Sequence, residues 1–418
     1  MRTIFAAILV LILGSAVGIS ADDAKPVITI PVHALRVADD DGGRPAVVTA
    51  DQVKQWVDFA NKVYSPAGIR FDFNPDSDWS PLNNTAVNNM LVDQRESRTS
   101  SLLGNEIAAE HPGKLAILIR HGPGKRPTYS GFARHNANYV AMPGYGMFKE
   151  SGHPTISAFA HETGHYLGLW HTHPGGPFKT LKDAEAYFVS HGKKPSAFDG
   201  DGLSDTPPDP AVSMLDTQRG VFSMELGGVE FKLPRRNLMS YYEERDSLTP
   251  QQLARARWFV EQRARNNMIS PTNLDAKSGI QEDAIKWTGM NDCRVAVEKI
   301  PGYDVLDWSN DSWLWLRFEK KGYIKLTLPE TKPGRTRIDL YTGLGPTFGK
   351  MQFSLDSKPI GESFDAYAPM TRPSGRISLG TVDLKAGKHT LQIEAVGKSE
   401  ASTGYNFAID CIALVNSQ

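Results

Sequence analysis

Cysteine is almost missing from this chain: 418 residues contain two, Cys293 and Cys411, and both fall in the last third. A disulfide-built scaffold is thereby excluded for the first two-thirds, and no thiol there can occupy a metal site. In an exported chain two cysteines usually pair, so a Cys293–Cys411 bridge is expected, tying together the two ends of a C-terminal domain. Charge of one sign is also lacking. With 46 Lys and Arg against 47 Asp and Glu, the net charge is −1, so no basic excess exists to attract nucleic acid or an anionic membrane. Long apolar runs are scarce too. Ile4 to Leu13 falls short of the roughly 18–20 residues of a membrane span. Preceded by Arg2 and followed by Gly18, Ser20 and Ala21, it reads as a signal peptide over 1–21, cleaved on export. Stable membrane insertion is not expected. No cysteine follows the run, so a lipid anchor is not expected either.

What is present is a concentration of histidine. The chain holds 11, and three lie in the stretch His161-Glu162-Thr163-Gly164-His165-Tyr166-Leu167-Gly168-Leu169-Trp170-His171. On a helix His161 and His165 share one face and can converge on one ion. His171 cannot join them if the helix continues, because ten residues rise about 15 Å. The chain must turn back, and Gly168 stands where a left-handed stop would turn it. His173 is the rival for the third position, disfavoured by the placing of that break. Three imidazoles leave a tetrahedral zinc ion one open position, the mark of a catalytic site. Glu162, offset from both histidines, suits a water-activating base better than a ligand. Imidazole ligands point to zinc, although sequence does not separate it from cobalt or copper.

This stretch resembles the metzincin zinc motif. Downstream, Asn237-Leu238-Met239-Ser240-Tyr241-Tyr242 resembles the Met-turn that accompanies it. Asp205-Thr206-Pro207 and the run Ser65-Pro66-Ala67-Gly68-Ile69 look similar to segments of the pappalysin family. The resemblance covers about residues 27–262. It implies an α+β catalytic domain with a mixed sheet and helices, and zinc held by His161, His165 and His171. Glu162 is then the base, and Met239 an apolar floor beneath the histidines. Tyr241 becomes a candidate for stabilising the oxyanion, with a packed core phenol as the other reading. A strand edge near Asn138 to Ala141 is expected to pair with extended substrate. Many metzincins are held latent by a propeptide. Here the first strand begins soon after the signal, so a cysteine switch has no room.

Along the chain, apolar alternation and periodicity predict a strand at Val27–Val37, an amphipathic helix at Thr49–Val63 and strands at Ile69–Phe73 and Lys114–Ile119. A helix is expected over Ser100–His111, and Asp76–Asn89 reads as loop. After the zinc motif, Asp199-Gly200-Asp201-Gly202-Leu203-Ser204-Asp205 spaces carboxylates as calcium loops do, but such stretches are also ordinary solvated turns. Calcium at Asp199, Asp201 and Asp205 is therefore carried as an expectation beside zinc. Thr249-Pro250-Gln251-Gln252 is a capping box that opens a helix to about Arg263. The catalytic domain is taken as 22–265, and 266–282 as a polar linker with few contacts across it. Short alternating strands with Gly and Pro turns over 283–418 argue an all-β sandwich. Strings such as Gly404-Tyr405-Asn406-Phe407-Ala408-Ile409-Asp410 make it similar to the jelly-roll modules appended to secreted bacterial enzymes, many of them carbohydrate-related. Trp287, Trp308, Trp313 and Trp315 fit either a core or a sugar-stacking surface, more often a core.

The functional expectation is a secreted zinc metalloendopeptidase acting on protein or peptide, with carbohydrate a candidate partner of the sandwich. Two alternatives stand beside it: a glycan- or surface-binding protein whose peptidase fold has lost turnover, and a zinc hydrolase of a non-peptide cell-wall amide. The presence of Glu162 counts against the first.

Overall fold

The computed structural model describes residues 26–416 apart from 92–102, 126–130, 136, 145–155, 216–219, 266, 269–271, 274–278 and 301–306. The signal segment 1–21 lies outside the described residues. The N-terminal unit is a mixed six-stranded sheet with helices, and the C-terminal unit is all β.

Strand β1 (Ile28–Ala38) runs parallel to β2 (Ile69–Asp72), β3 (Trp79–Asn83) and β4 (Leu115–Arg120). Strand β4 runs parallel to β6 (Tyr139–Pro143), and the short β5 (Phe132–Ala133) closes the edge antiparallel to β6. Alternation along β1 and β4 sends side chains to both faces, and both faces are covered. Ile30, Val32, Ala34, Leu115, Ile117 and Ile119 pack under α1 (Ala50–Tyr64). On the opposite face Leu35, Val37, Ala116 and Leu118 meet Val87, Ile107 and Ala108, the first from α2 (Thr85–Asn88) and the others from α3 (103–109). Helix α1 starts where expected, at a capping box between Thr49 and Gln52. The polar stretch read as loop holds β3 and α2, because β3 adds to the half of β1 that β2 leaves unpaired. Asn84 caps α2 by accepting from Val87 N.

Residues Asn138 to Ala141 are not the free edge. Strand β6 sits between β4 and β5, with Phe132 paired to Ala141, so the edge is β5. The hairpin folds its first arm outward and keeps the all-buried second arm inside.

Helix α4 (Ile156–Tyr166) lies against α1, and Tyr64 donates to Ala160 O at 2.8 Å. Beyond it come α5 (Leu181–Ser190), the hairpin β7 (Ser223–Leu226) and β8 (Val229–Lys232), and α6 (Pro250–Arg265). Helix α6 opens at the expected Thr249–Gln252 box.

The C-terminal unit is a ten-stranded array from β9 (Ile280–Gln281) and β10 (Lys286–Lys299) to β18 (Phe407–Asn416). The long β11 (Ser312–Thr327) lies in its middle, pairing β10 on one side and β17 (Thr390–Gly397) with β18 on the other. Its core takes Trp308 and Trp313, which are buried, while Trp287 is exposed.

Two expectations fail here. Cys293 and Cys411 are both free. Cys293 sits on β10 opposite Phe318, and Cys411 on β18 opposite Tyr341. Strand β11 separates the two, so their Cα atoms are at least two strand spacings apart, about 9.6 Å, beyond the roughly 7 Å limit for a bridge. Described residues of the stretch read as linker are also docked. Asn273 is fully buried, donating to Thr342 O and Asp410 Oδ2 while accepting from Gly375 N. Ile280–Gln281 pairs with β18. Helix α6 likewise touches both units: Trp258 packs on the sandwich core, and the Arg372 guanidinium carbon lies 5.5 Å and 5.3 Å from the ring centres of Trp258 and Phe259.

Two outcomes follow from this arrangement. Thiol titration of the unfolded, non-reduced protein is expected to count two free cysteines, and Cys293→Ser to change stability by no more than about 0.5 kcal/mol; a count of zero would establish the bridge. A chain ending at Asn267 exposes the face of α6 that carries Trp258, and is expected to melt several degrees below the N-terminal unit of the full chain, as a loss of about 1–2 kcal/mol would produce. Equal melting would show that the two cores are independent.

Candidate metal centre

The zinc-motif helix ends by a main-chain device. Gly168 has φ +77°, Leu169 N donates to Gly164 O at 2.8 Å, and Gly168 N donates to His165 O at 2.9 Å. This is a Schellman stop, in which a left-handed residue reverses the chain and satisfies the last carbonyls. The reversal returns His171 to the helix face that carries His161 and His165. Its Nε2 lies 3.3 Å from His161 Nε2 and 3.0 Å from His165 Nε2. Among the described residues these three form the group able to hold a metal ion.

Tautomers decide what the cluster can do. His161 Nδ1 lies 2.7 Å from Leu238 O, and His165 Nδ1 lies 2.8 Å from Leu169 O. A carbonyl can only accept, so each Nδ1 carries the proton and each Nε2 presents a bare lone pair. Both lone pairs point at His171 Nε2, and a carbonyl behind the imidazole is how metal-binding histidines are oriented. The donor set fits zinc. Burial holds His161 and His171 well below the usual imidazole pKa, and His165 down to about 3, so all three are neutral at pH 7. The positive charge of Arg245 adds to this at all three.

The Glu162 side chain reaches the start of β5. A Cβ on Gly131 would come within 3.1 Å of Glu162 Cγ and Oε1, so the carboxylate rests against the start of the edge strand. Burial raises its pKa to about 7, against the pull of Arg245 and Arg120. Met239 fills the space under α4, where a Cβ on Gly164 would sit 2.4 Å from its sulfur. Asn237 Oδ1 accepts from Met239 N and Asn237 O accepts from Ser240 N, fixing the turn. Tyr241 packs 4.8 Å from His171 and 4.6 Å from His173, centre to centre. His173 stacks on His171 at 4.9 Å and is outside the ligand group.

Asp199, Asp201 and Asp205 do not form a metal-holding group among the described residues. Each has an oxygen that accepts from a neighbouring protein group. Asp199 accepts from Gly202 N, Asp201 from Leu203 N, Thr206 Oγ1 and Gln252 Nε2, and Asp205 from Gln251 N. Gln252 Oε1 in turn accepts from Asn237 Nδ2, so Asp201 ties α6 to the Met239 turn. The loop is a brace in this structure, and calcium has no support from it.

Sequence reasoning missed Arg245, whose guanidinium bonds Ser240 O and Ser157 Oγ and approaches His161 Nδ1 to 3.2 Å. It also missed His135, at 3.1 Å from the same Leu169 carbonyl that anchors His165. Neither stands at a spacing that marks it.

The histidine group and the Met239 turn stand in the arrangement that the metzincin resemblance implies. Residues 122–261 match the model of a peptidase family described as pregnancy-associated plasma protein-A, so the resemblance to pappalysins is shown over that stretch. No curated protein matches the chain. Solved structures similar to it include a Paenibacillus xanthan lyase, 17% identical over 35% of this chain and 13% of that one, with a TM-score of 0.30. A Podospora anserina mannanase is 15% identical over 33% of this chain and 27% of that one (TM-score 0.23). A family 35 carbohydrate binding module from Clostridium thermocellum is 11% identical over 33% of this chain and 97% of that one (TM-score 0.24). The chain thus spans a small part of the first two.

Replacing Gly168 tests the turn. Alanine there must keep a left-handed φ, and its Cβ would lie 2.3 Å from the Phe259 ring. Gly168→Ala is expected to cost at least about 2 kcal/mol and to lower zinc occupancy after dialysis against a weak chelator. An unchanged melting temperature with full occupancy would remove the turn from the account of the site.

Proposed function

We propose that the chain is an exported zinc endopeptidase, with 22–265 as its catalytic part and 283–418 as an accessory sandwich. The observation that carries this reading is the convergence of three histidine Nε2 atoms at the helix that carries the half-buried Glu162. His161, His165 and His171 would hold the ion, and their neutrality keeps them competent at pH 7. Bound zinc supplies Lewis-acid polarisation of the scissile carbonyl. The protein's own groups do the rest. Glu162, with a pKa near neutrality, accepts a proton from the attacking water and returns it to the leaving amine nitrogen. The peptide lies extended along β5, adding a strand at the edge that, among the described residues, pairs only with β6. That placement brings the scissile bond beside Glu162, because Glu162 contacts the residue just before β5. Tyr241, packed on His171, is the candidate donor to the developing oxyanion. Export rests on the N-terminal sequence. Among the described residues no helix is long and apolar enough to cross a membrane. For the sandwich, burial of Trp308 and Trp313 leaves Trp287 as the exposed indole that a sugar could stack on.

Glu162→Ala is expected to retain close to one zinc per chain while hydrolysis of an unstructured protein substrate falls by about 10²–10⁴-fold. Metal analysis and a casein assay on the same sample decide it. Full activity would dismiss Glu162, and a wild-type protein that binds zinc yet cleaves nothing would favour the binding-protein alternative.

A further inference from the structure

Between helix α6 and the sandwich lies a cavity of about 430 Å³, within the range of sites that enclose small molecules. It is lined by Trp258, Phe364, Tyr367 and Leu344, and by two arginines, Arg265 and Arg372. It is separate from the histidine cluster, whose residues do not line it.

Arg372 is the unusual member. It is 3% exposed, yet its Nε has no hydrogen-bond partner and its guanidinium makes no ion pair. Its neighbours are the faces of Trp258 and Phe259, the like charge of Arg263 and the opposite charge of Asp307. Stacking on two rings offsets part of the desolvation cost but satisfies no N–H. The acids at the cavity are already engaged. Glu261 bonds Arg257 at 2.7 Å, and Asp365 bonds Ser399 at 2.5 Å and lies 3.5 Å from Lys350. Arg265, exposed at the mouth, has no acidic partner among the described residues. The cavity therefore combines an apolar wall with two guanidinium groups that, among the described residues, form no ion pair.

We propose that this cavity binds a small monocarboxylate with an apolar body, its carboxylate held by Arg372 with Arg265 at the mouth. A guanidinium fork matches a carboxylate in shape and charge. A dianion such as phosphate is disfavoured by the two carboxyl groups at the cavity, Glu261 and Asp365. The apolar body lies against Trp258 and Phe364. Two sources offer this chemistry: a free organic acid, or the C-terminal carboxylate of a peptide. Either would reach a surface shared by both units, so occupancy would also fasten the sandwich to α6.

Calorimetric titration of the full-length zinc-loaded protein tests this with three probes: hydrocinnamate, N-acetyl-Ala-Phe, and the amide of that dipeptide. Both acids are expected to bind and the amide to fail. Binding of hydrocinnamate alone would assign the site to free acids, and stronger binding of the dipeptide acid would assign it to peptide ends. Metal removal is expected to leave the affinity unchanged, which separates this site from the histidine centre and the result from the peptidase reading. Arg372→Gln is expected to weaken binding roughly tenfold or more, as loss of a charge-assisted bond does. Because Arg372 is buried that variant could misfold, so Arg265→Ala, at an exposed position, is measured beside it and is expected to weaken binding severalfold. The proposal is overturned if neither acid binds, if the amide binds as well as the acid, if affinity vanishes with the metal, or if Arg265→Ala binds as wild type.

Discussion

The left-handed turn at Gly168 is the constraint on which the rest of the catalytic unit depends. It ends α4, returns His171 to the face of His161 and His165, and delivers Leu169 O to His165 Nδ1. It also fixes what may stand beside it. The absent side chain of residue 168 leaves room for Phe259 of α6, whose other neighbour is Arg372 of the sandwich. The metal centre, the closing helix of the first unit and the second unit therefore meet through one glycine. Helix α6 is held from its other end by Gln252, which joins Asp201 to the Met239 turn.

Much of this was legible beforehand because it is local. An i, i+4 pair of histidines, a glycine at the required stop and the Thr249–Gln252 capping box depend on residues a few positions apart, and all stand where the spacing puts them. Strands β1 and β4 were legible for a related reason, since their apolar residues alternate or run unbroken. What escaped depends on pairing across distance. Cys293 and Cys411 look like partners on a one-dimensional map, but β11 lies between their strands. Asn273 sits in a stretch with the composition of a linker, yet its amide is fully satisfied by three segments of the sandwich. The Asp-Gly loop has carboxylates at calcium-like spacing, and only the location of Gln251 and Gln252 shows that Asp201 and Asp205 bond α6.

The same contrast explains the electrostatics of the site. Sequence identified the ionisable groups, but burial sets their state: it depresses the three ligand histidines and raises Glu162. Arg245 and Arg120, both remote in sequence from the motif, moderate Glu162 from outside it. A motif therefore gives the actors of such a site and not the field in which they act.

The two oxygens behind His161 and His165 belong to the main chain, at Leu238 and Leu169. Where a carboxylate side chain plays that part, one substitution can abolish it or change its charge. A peptide carbonyl is common to every residue type, so exchange of the side chain at 238 or 169 leaves the acceptor in place so long as the backbone path holds. The protonation pattern of these two ligands is thus a property of the fold's geometry. It is open to loss through the turns that aim the carbonyls, and closed to loss through the identity of the residues that carry them.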